Sequence, residues 1–398
     1  MDSGIGPRVR MVRSARGMSI RTLAGLASIS KTVLWEFETG QRPLERLSDI
    51  DALAEQLGVS RAWLLGQPDQ PDTPERVLAH GSGERFRRAL ADTELGERPA
   101  GVTDPEPLPI LVTEAHRAHG HLLAGDIASP ARVLPGLLPG LYAWVVDGDH
   151  AQQADALRGL AIAHAAMCGT AKWCGLTDLS WLSATRGRQC ARRLGEATWI
   201  AFSDFYVSHA FTPYARSLAN STRALGDMEP HAGDDLLATQ VYGMLHLMAA
   251  FGAGVIGRGD DVRTHLAEAE TIASRTGDRT DLDLYFGPAN LGVWKVSIAV
   301  EMGEGGRATE IARKHDVRPL GAPGRRSTFY SDLGRAFAQE RQDSQALNAF
   351  LTAEKLAPEQ TRANPLVREA AEHIVRRALR SAAGSDLRAF AQRVGALP

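Results

Sequence analysis

Three histidines crowd into one short stretch, His116, His119 and His121 of His-Arg-Ala-His-Gly-His, and neutral imidazole is a common metal ligand. No acidic or cysteine partner stands at a ligating spacing, so a surface helix end is expected there and no metal. Gly252, Gly254 and Gly257 satisfy G-x-G-x-x-G. A dinucleotide site needs a strand before that motif and a helix opening within it. Here an apolar helix precedes it, and small residues that let two helices approach account for the spacing. Ser28 and Lys31 echo the S-x-x-K of acylated serines without its companion motifs. The phosphate-cradling G-x-x-x-x-G-K-[ST] is absent from the sequence. Cys168, Cys174 and Cys190 are odd in number and fit neither zinc ligation nor a disulfide framework, which suits a reducing compartment. No nucleophile, base and orienting group stand at a spacing that a known mechanism requires. Neither an enzyme nor a cofactor is expected.

The remaining chemistry is electrostatic and aromatic. The net charge is −2 over 398 residues, but the two ends differ. Within 1–46, Arg8, Arg10, Arg13, Arg16, Arg21, Lys31, Arg42 and Arg46 face only Asp2, Glu36, Glu38 and Glu45. That local basic excess is consistent with contact to phosphates. Aromatic side chains concentrate in 173–211, with Trp173, Trp181, Trp199, Phe202, Phe205, Tyr206 and Phe211. Core packing is their ordinary role. The sharper alternative is a small-molecule or peptide pocket walled by Trp199 and Tyr206, with Tyr285, Phe286, Asn290 and Trp294 as a second wall.

The elements that must position these residues are helices. Alanine, leucine, arginine and glycine are abundant and β-branched runs scarce, so the fold class is all-α. Val9 and Val12 mark a first helix over Pro7 to Ser14, which Gly17 ends. Ser19 caps a second, with Ile20, Leu23, Ala24 and Ala27 on one face. Ser30 caps a third over Lys31 to Thr39, with Leu34 and Phe37 inward, stopped at Gly40 before Pro43. Leu47, Ile50, Leu53, Ala54 and Leu57, then Val59, Trp63 and Leu64, close a small core, giving five short helices in residues 1–66. The proline-rich polar stretch at 67–80 reads as a linker. A larger helical unit follows over 81–398.

Prolines in 99–109 and 130–140 are expected to break the helices at the start of that unit. Beyond Gln152, helix pairs separated by Gly or Asp turns are expected. The segment from Gly257 resembles the one from Ala338, with Val262, Leu266 and Ala269 matching Ala346, Phe350 and Ala353. Stacked pairs of this kind make a curved solenoid with a concave binding surface. The apolar run Tyr242 to Gly257 is short for a bilayer and reads as a buried helix, so no membrane partner is expected. The N-terminus lacks the apolar core of a secretory signal, so a cytoplasmic location is expected.

Residues Gly6 to about Leu65 resemble the XRE, or phage-repressor-like, helix-turn-helix family, through G-x-R-V-R-x-V-R, S-x-x-x-L-A and S-K-T-V-L-W-E-F-E-x-G. The resemblance implies a five-helix, lambda-repressor-like head that binds double-stranded DNA, usually as a homodimer. The helix after Ser30 would lie in the major groove, where base edges carry a distinguishable hydrogen-bond code. Lys31, Thr32 and Trp35 would then face the bases, with a partly buried packing role as the alternative for Trp35; Ser30 would cap the reading helix, and Arg21 and Arg42 would approach phosphates. Arg10 and Glu38 would form a structural ion pair. Ile20 departs from the family's Gln and Ser28 from its turn glycine. The rest of the chain looks like the tetratricopeptide-like domain attached to such heads in actinobacterial regulators, in D-L-S-W-L, Q-V-Y-G-M-L-H-L and F-G-P-A-N-L-G-V-W. That implies a regulator of development or specialised metabolism whose solenoid binds a ligand or partner. The alternative is an adaptor whose head no longer reads DNA.

Overall fold

The computed structural model describes residues 4–67, 74–210, 213–378 and 385–397, and no strand occurs among the described residues. The first five helices are α1 (Ile5–Ala15), α2 (Ile20–Leu26), α3 (Lys31–Glu38), α4 (Leu47–Leu57) and α5 (Arg61–Leu64). Serine starts three of them: the Oγ atoms of Ser19, Ser30 and Ser60 accept the amides of Thr22 (3.0 Å), Val33 (3.1 Å) and Trp63 (3.1 Å). Each bond satisfies an amide that the first turn leaves without an intrahelical partner. Val9, Leu23, Leu34, Ile50, Leu53 and Leu64 form the fully buried centre. The five-helix expectation holds.

Beyond residues 68–73, which lie outside the described residues, α6 (Pro74–Ala91) begins. The stretch expected as a linker over 67–80 is therefore helical from Pro74, a residue whose fixed φ suits a helix's first turn. Helical hairpins follow: α7 (Leu108–Ala124) with α8 (Ala128–Asp147), α9 (His150–Trp173) with α10 (Thr177–Leu194), α11 (Ala197–Ala210) with α12 (Tyr214–Met228), and α13 (Leu236–Val255) with α14 (Gly259–Thr276). Next come α15 (Pro288–Glu301) with α16 (Gly305–Lys314), and α17 (Pro323–Gln339) with α18 (Asp343–Leu356). The short α19 (Pro358–Ala363) leads to α20 (Pro365–Ala378) and α21 (Ser385–Arg393). One expectation fails here, because α8 runs unbroken through Pro135 and Pro139. Leu134, Leu137, Leu138 and Leu141 are buried along it, and that packing outweighs the hydrogen bonds that proline removes.

The sequence similarity between hairpins has a structural counterpart. Gly257 and Arg341 occupy equivalent turns, before α14 and α18, and both are left-handed at φ 76° and 57°. Val262 and Ala269 in one hairpin and Ala346, Phe350 and Ala353 in the other are buried at matching positions. The Gly252–Gly257 motif lies on α13 and the turn after it: a Cβ at Gly252 would meet Leu218, and one at Gly254 would sit 3.0 Å from Ile298 Cγ2. It is helix packing, as expected. Helix α13 is long and apolar enough to cross a membrane by length and composition, but most of it is buried between neighbouring helices.

The first helices of successive hairpins pack side by side from α7 to α17. The array does not stay open, as a simple curved stack would. Helix α7 also packs on α17, and α6 on α19. Glu359 Oε2 accepts the amides of Ile127 (2.9 Å) and Ala128 (3.0 Å), and a Cβ at Gly324 would lie 2.6 Å from Leu123 O. These contacts join residues far apart along the chain and turn the concave face into an interior.

The N-terminal helices dock on this array through buried polar contacts. Leu47 N donates to Glu301 Oε2 (3.0 Å), and Ile5 N and Leu44 N donate to the Glu369 carboxylate (3.2 and 3.4 Å). Arg335, only 3% exposed, donates to Glu45 O, Glu301 Oε1 and Asp332 Oδ1 at 2.8, 2.8 and 2.9 Å. Arg61 lies over the Tyr214 ring at 4.9 Å and pairs with Asp51. Tyr214, Val255 and Leu366 join the apolar core of the head. Burial, then the neighbouring carboxylates, pushes Glu45 up to about 7 against the pull of Arg335. Burial, then Glu372, does the same for Glu369, to about 7, against its two amide donors.

Candidate nucleic-acid interface

Helices α2 and α3 are joined by a turn whose hinge is Ser28, at φ 55°. A left-handed residue costs an L-amino acid about 1–2 kcal/mol, which explains why glycine is ordinary at such a place. The turn keeps the required geometry with serine in it. Leu34 and Phe37 seat α3 on the core, at 0% and 3% exposure. Gly6 allows that close seat, since a Cβ there would lie 1.9 Å from Phe37 O.

The opposite face of α3 is open. Lys31 and Thr32 are exposed, and Trp35, one turn on, is 45% exposed and so is not a core side chain. Ser30 is the cap already described. Arg21 is exposed at the start of α2, and Arg42 is exposed beyond α3 with its guanidinium 5.8 Å from the Phe37 ring centre. All of these positions stay exposed, although the array docks on α1, the loop after α3, the start of α4 and α5.

The basic excess is smaller in the fold than in the sequence. Arg8 donates to Leu64 O and Arg46 to Glu301 O, so both serve the architecture. The expected Arg10–Glu38 pair is corrected to Arg13–Glu38: Arg13 Nε and Nη2 meet the two carboxylate oxygens at 2.5 and 2.8 Å, and Nη1 donates to Met18 O. Arg13, at the end of α1, thereby ties the α1–α2 turn to the end of α3, while Arg10 stays exposed one turn earlier. Arg10, Arg16, Arg21, Lys31 and Arg42 remain as the exposed basic set of the head.

The second group of candidates divides. Trp199, Phe202 and Tyr206 follow one another edge to face at 5.8 and 5.2 Å. Asn290 and Trp294 lie on α15, and Arg325 bridges them, donating to Asn290 Oδ1 and lying 5.2 Å over the Trp294 ring. Tyr206 is close enough for Arg325 to oppose the upward shift that burial imposes on its hydroxyl. Asn290 and Trp294 thus gather around Arg325, while Trp199 and Tyr206 both pack on Phe202. Tyr285 is half-buried in the left-handed loop before α15. Phe286 is a correction: it is wholly buried under Gly243, whose Cβ would lie 2.2 Å from Phe286 Cζ, so it plugs the core and walls no pocket.

The histidine stretch is also corrected. His119 is buried, with Nε2 2.5 Å from the Tyr206 hydroxyl, whereas His121 pairs with Asp126 on the surface. No group of three or more metal-ligating residues occurs among the described residues. The sequence reading missed His119, Lys172, His209 and Arg325 as interior residues. Each is a single polar residue on a different helix, and an isolated Lys or Arg reads as surface. Only the packing of helices distant in sequence brings them inward.

Comparison with known families matches residues 5–64 to a helix-turn-helix domain. The matched span coincides with α1 to α5, so the N-terminal unit is a helix-turn-helix domain, and DNA is the partner that such a domain suggests. No curated protein and no solved structure matches the chain.

Proposed function

We propose that the chain is a sequence-specific DNA-binding transcriptional regulator of development or specialised metabolism, with a head in residues 1–66 and a sensing or partner-binding unit behind it. The observation that carries the reading is the open face of α3, where Lys31, Thr32 and Trp35 stand exposed on a helix whose other face is locked into a core. Lysine and threonine can hydrogen-bond base edges, and the Trp35 ring can meet a thymine methyl or sugar. Arg21 and Arg42 approach the backbone on either side. Phosphate contacts add salt-sensitive affinity and fix the register.

A homodimer in the cytoplasm would place two such helices on half-sites about 34–36 Å apart. Because the head is clamped to the array by buried hydrogen bonds, a ligand or partner that reshaped the array would move the reading helices with it. That is a coupling between two sites. The test is selection of bound sequences from random duplex DNA, beside a Lys31→Ala/Thr32→Ala variant. A two-fold-related motif enriched by the wild type alone supports the proposal. Enrichment of no motif, even at low salt, refutes it and leaves the helical array as the functional part.

A further inference from the structure

Two cations lie inside the closed array with no carboxylate partner among the described residues. Lys172 on α9 donates to His209 O at 2.8 Å and lies 3.3 Å from His209 Nε2. Arg325, in the first turn of α17, gives both Nε and Nη2 to the single Asn290 Oδ1, at 3.1 and 3.0 Å. An amide oxygen is neutral and does not balance a guanidinium. The nearby acids bind other groups: Asp332 holds Arg335 and Ser297 and acts on Arg325 only through space, and Asp283 faces His119 at 3.5 Å. The Cys168 thiol is pushed up to about 11 by burial and stays neutral.

Burial pulls Lys172 down to about 8 and Arg325 down to about 10. It also takes His209 well below its ordinary value, with Lys172 and then Arg325 adding to the fall, so one imidazole feels both cations. All three side chains keep part of their surface accessible although they sit between packed helices. Asn290 Nδ2, Trp294 Nε1 and His209 Nδ1 are buried without a partner. Buried cations without a bound carboxylate and unsatisfied donors are expensive, and persist where something supplies the missing acceptors. The loop beside His119, which itself bonds Tyr206, is strained. Leu282, Asp283 and Tyr285 all adopt left-handed backbone, at φ 47°, 54° and 51°, in the loop that brings Asp283 to His119. Strain of this kind gathers at ligand clamps.

We infer that the space among Lys172, His209 and Arg325 binds a small organic carboxylate, its anionic end between the two cations and its apolar body against Trp294 and Tyr206. The inference rests on the reading of the helical unit as a sensor and names the chemistry it would sense. The chain has only five lysines, Lys31, Lys172, Lys295, Lys314 and Lys355, so each can be followed separately. The full chain is carbamylated with cyanate near neutral pH and every lysine is read by mass spectrometry, with and without 3-phenylpropionate, its neutral amide, or a tripeptide as free acid and as amide. Lys172 is expected to react about tenfold or more faster than an ordinary surface lysine, because burial lowers its amine and leaves more of it unprotonated. Acids protect Lys172 alone and amides do not; protection by the tripeptide acid rather than 3-phenylpropionate would make a peptide terminus the source of the carboxylate. Asn290→Asp, which gives Arg325 an internal carboxylate in the same volume, is expected to abolish protection while circular dichroism and Lys172 labelling persist. Arg325→Gln should do likewise. Failure of Lys172 to label, equal protection by acid and amide, or protection by neither overturns the inference. Protection without any change in duplex affinity leaves the carboxylate site standing and removes the sensing role.

Discussion

Replacing Arg335 with methionine isolates what holds the head to the array. The guanidinium is 3% exposed and serves three acceptors at once: Glu301 Oε1 and Asp332 Oδ1 as charges, and Glu45 O as a backbone carbonyl. Methionine fills much of the volume but leaves two carboxylates without a countercharge, beside a Glu45 that Arg335 already helps to ionise. Removing one partner from a buried ion pair costs about 3–5 kcal/mol, mostly through the charge left behind. The same order is expected here at pH 8, read as unfolding free energy from urea titration. Glu301 Oε2 also receives Leu47 N, so the loss should appear locally as faster hydrogen exchange at the Leu47 amide. The Val33 amide, held by Ser30 within the head, should keep its rate. A loss below about 1 kcal/mol with unchanged Leu47 exchange would refute the reasoning and assign the docking to Tyr214, Val255 and Leu366.

Glu45 and Glu369 stand at about 7 when folded, above the ordinary carboxylate value, so the folded state holds protons that the unfolded chain has lost. Stability from these groups is full below about pH 4.5, falls as pH rises toward about 7, and is flat above. Each pH unit between a group's folded and unfolded values is worth about 1.4 kcal/mol, so each carboxyl amounts to about 3 kcal/mol. Glu45→Gln should flatten part of that slope in urea titrations from pH 5 to 8, and an unchanged slope would exclude Glu45 as its source. Ser28→Gly should stabilise the chain by about 0.5–1 kcal/mol in urea, since glycine relieves the left-handed strain at some entropic cost; destabilisation would mean that the serine side chain matters to the turn. Burial pushes Cys168 to about 11 and Cys174 and Cys190 to about 12, so none should react with a thiol-specific disulfide reagent until the chain unfolds. Prompt labelling of any one in native buffer would contradict this.

The head was legible because its signals are local. Ser19 and Ser30 cap the helices they precede, Leu34 and Phe37 turn inward, and the residues that carry the pattern lie close together along the chain. Misreadings arose wherever distance along the chain had to be bridged. Arg10 and Arg13 differ by one turn on the same helix, and only the fold decides which reaches Glu38. Proline usually breaks helices, yet α8 continues because its leucines are packed along its length. Phe286 looked like a pocket wall beside Tyr285, but the absent side chain of Gly243 makes room for it in the core. Lys172 and Arg325 look like surface residues in any local window, and become interior only when neighbouring helices bring His209 and Asn290 to them.

The central claim is that the exposed face of α3 reads bases. The most direct test is to titrate wild type and the Lys31→Ala, Thr32→Ala and Trp35→Ala variants against a selected duplex and a scrambled duplex of equal length at one salt concentration. Each good base contact is worth about 1–3 kcal/mol, so each variant should lose roughly 5- to 150-fold on the selected duplex and little on the scrambled one. Their circular dichroism should be unchanged, because these side chains are exposed. A wild type that binds both duplexes equally, or variants that weaken both alike, would contradict the claim.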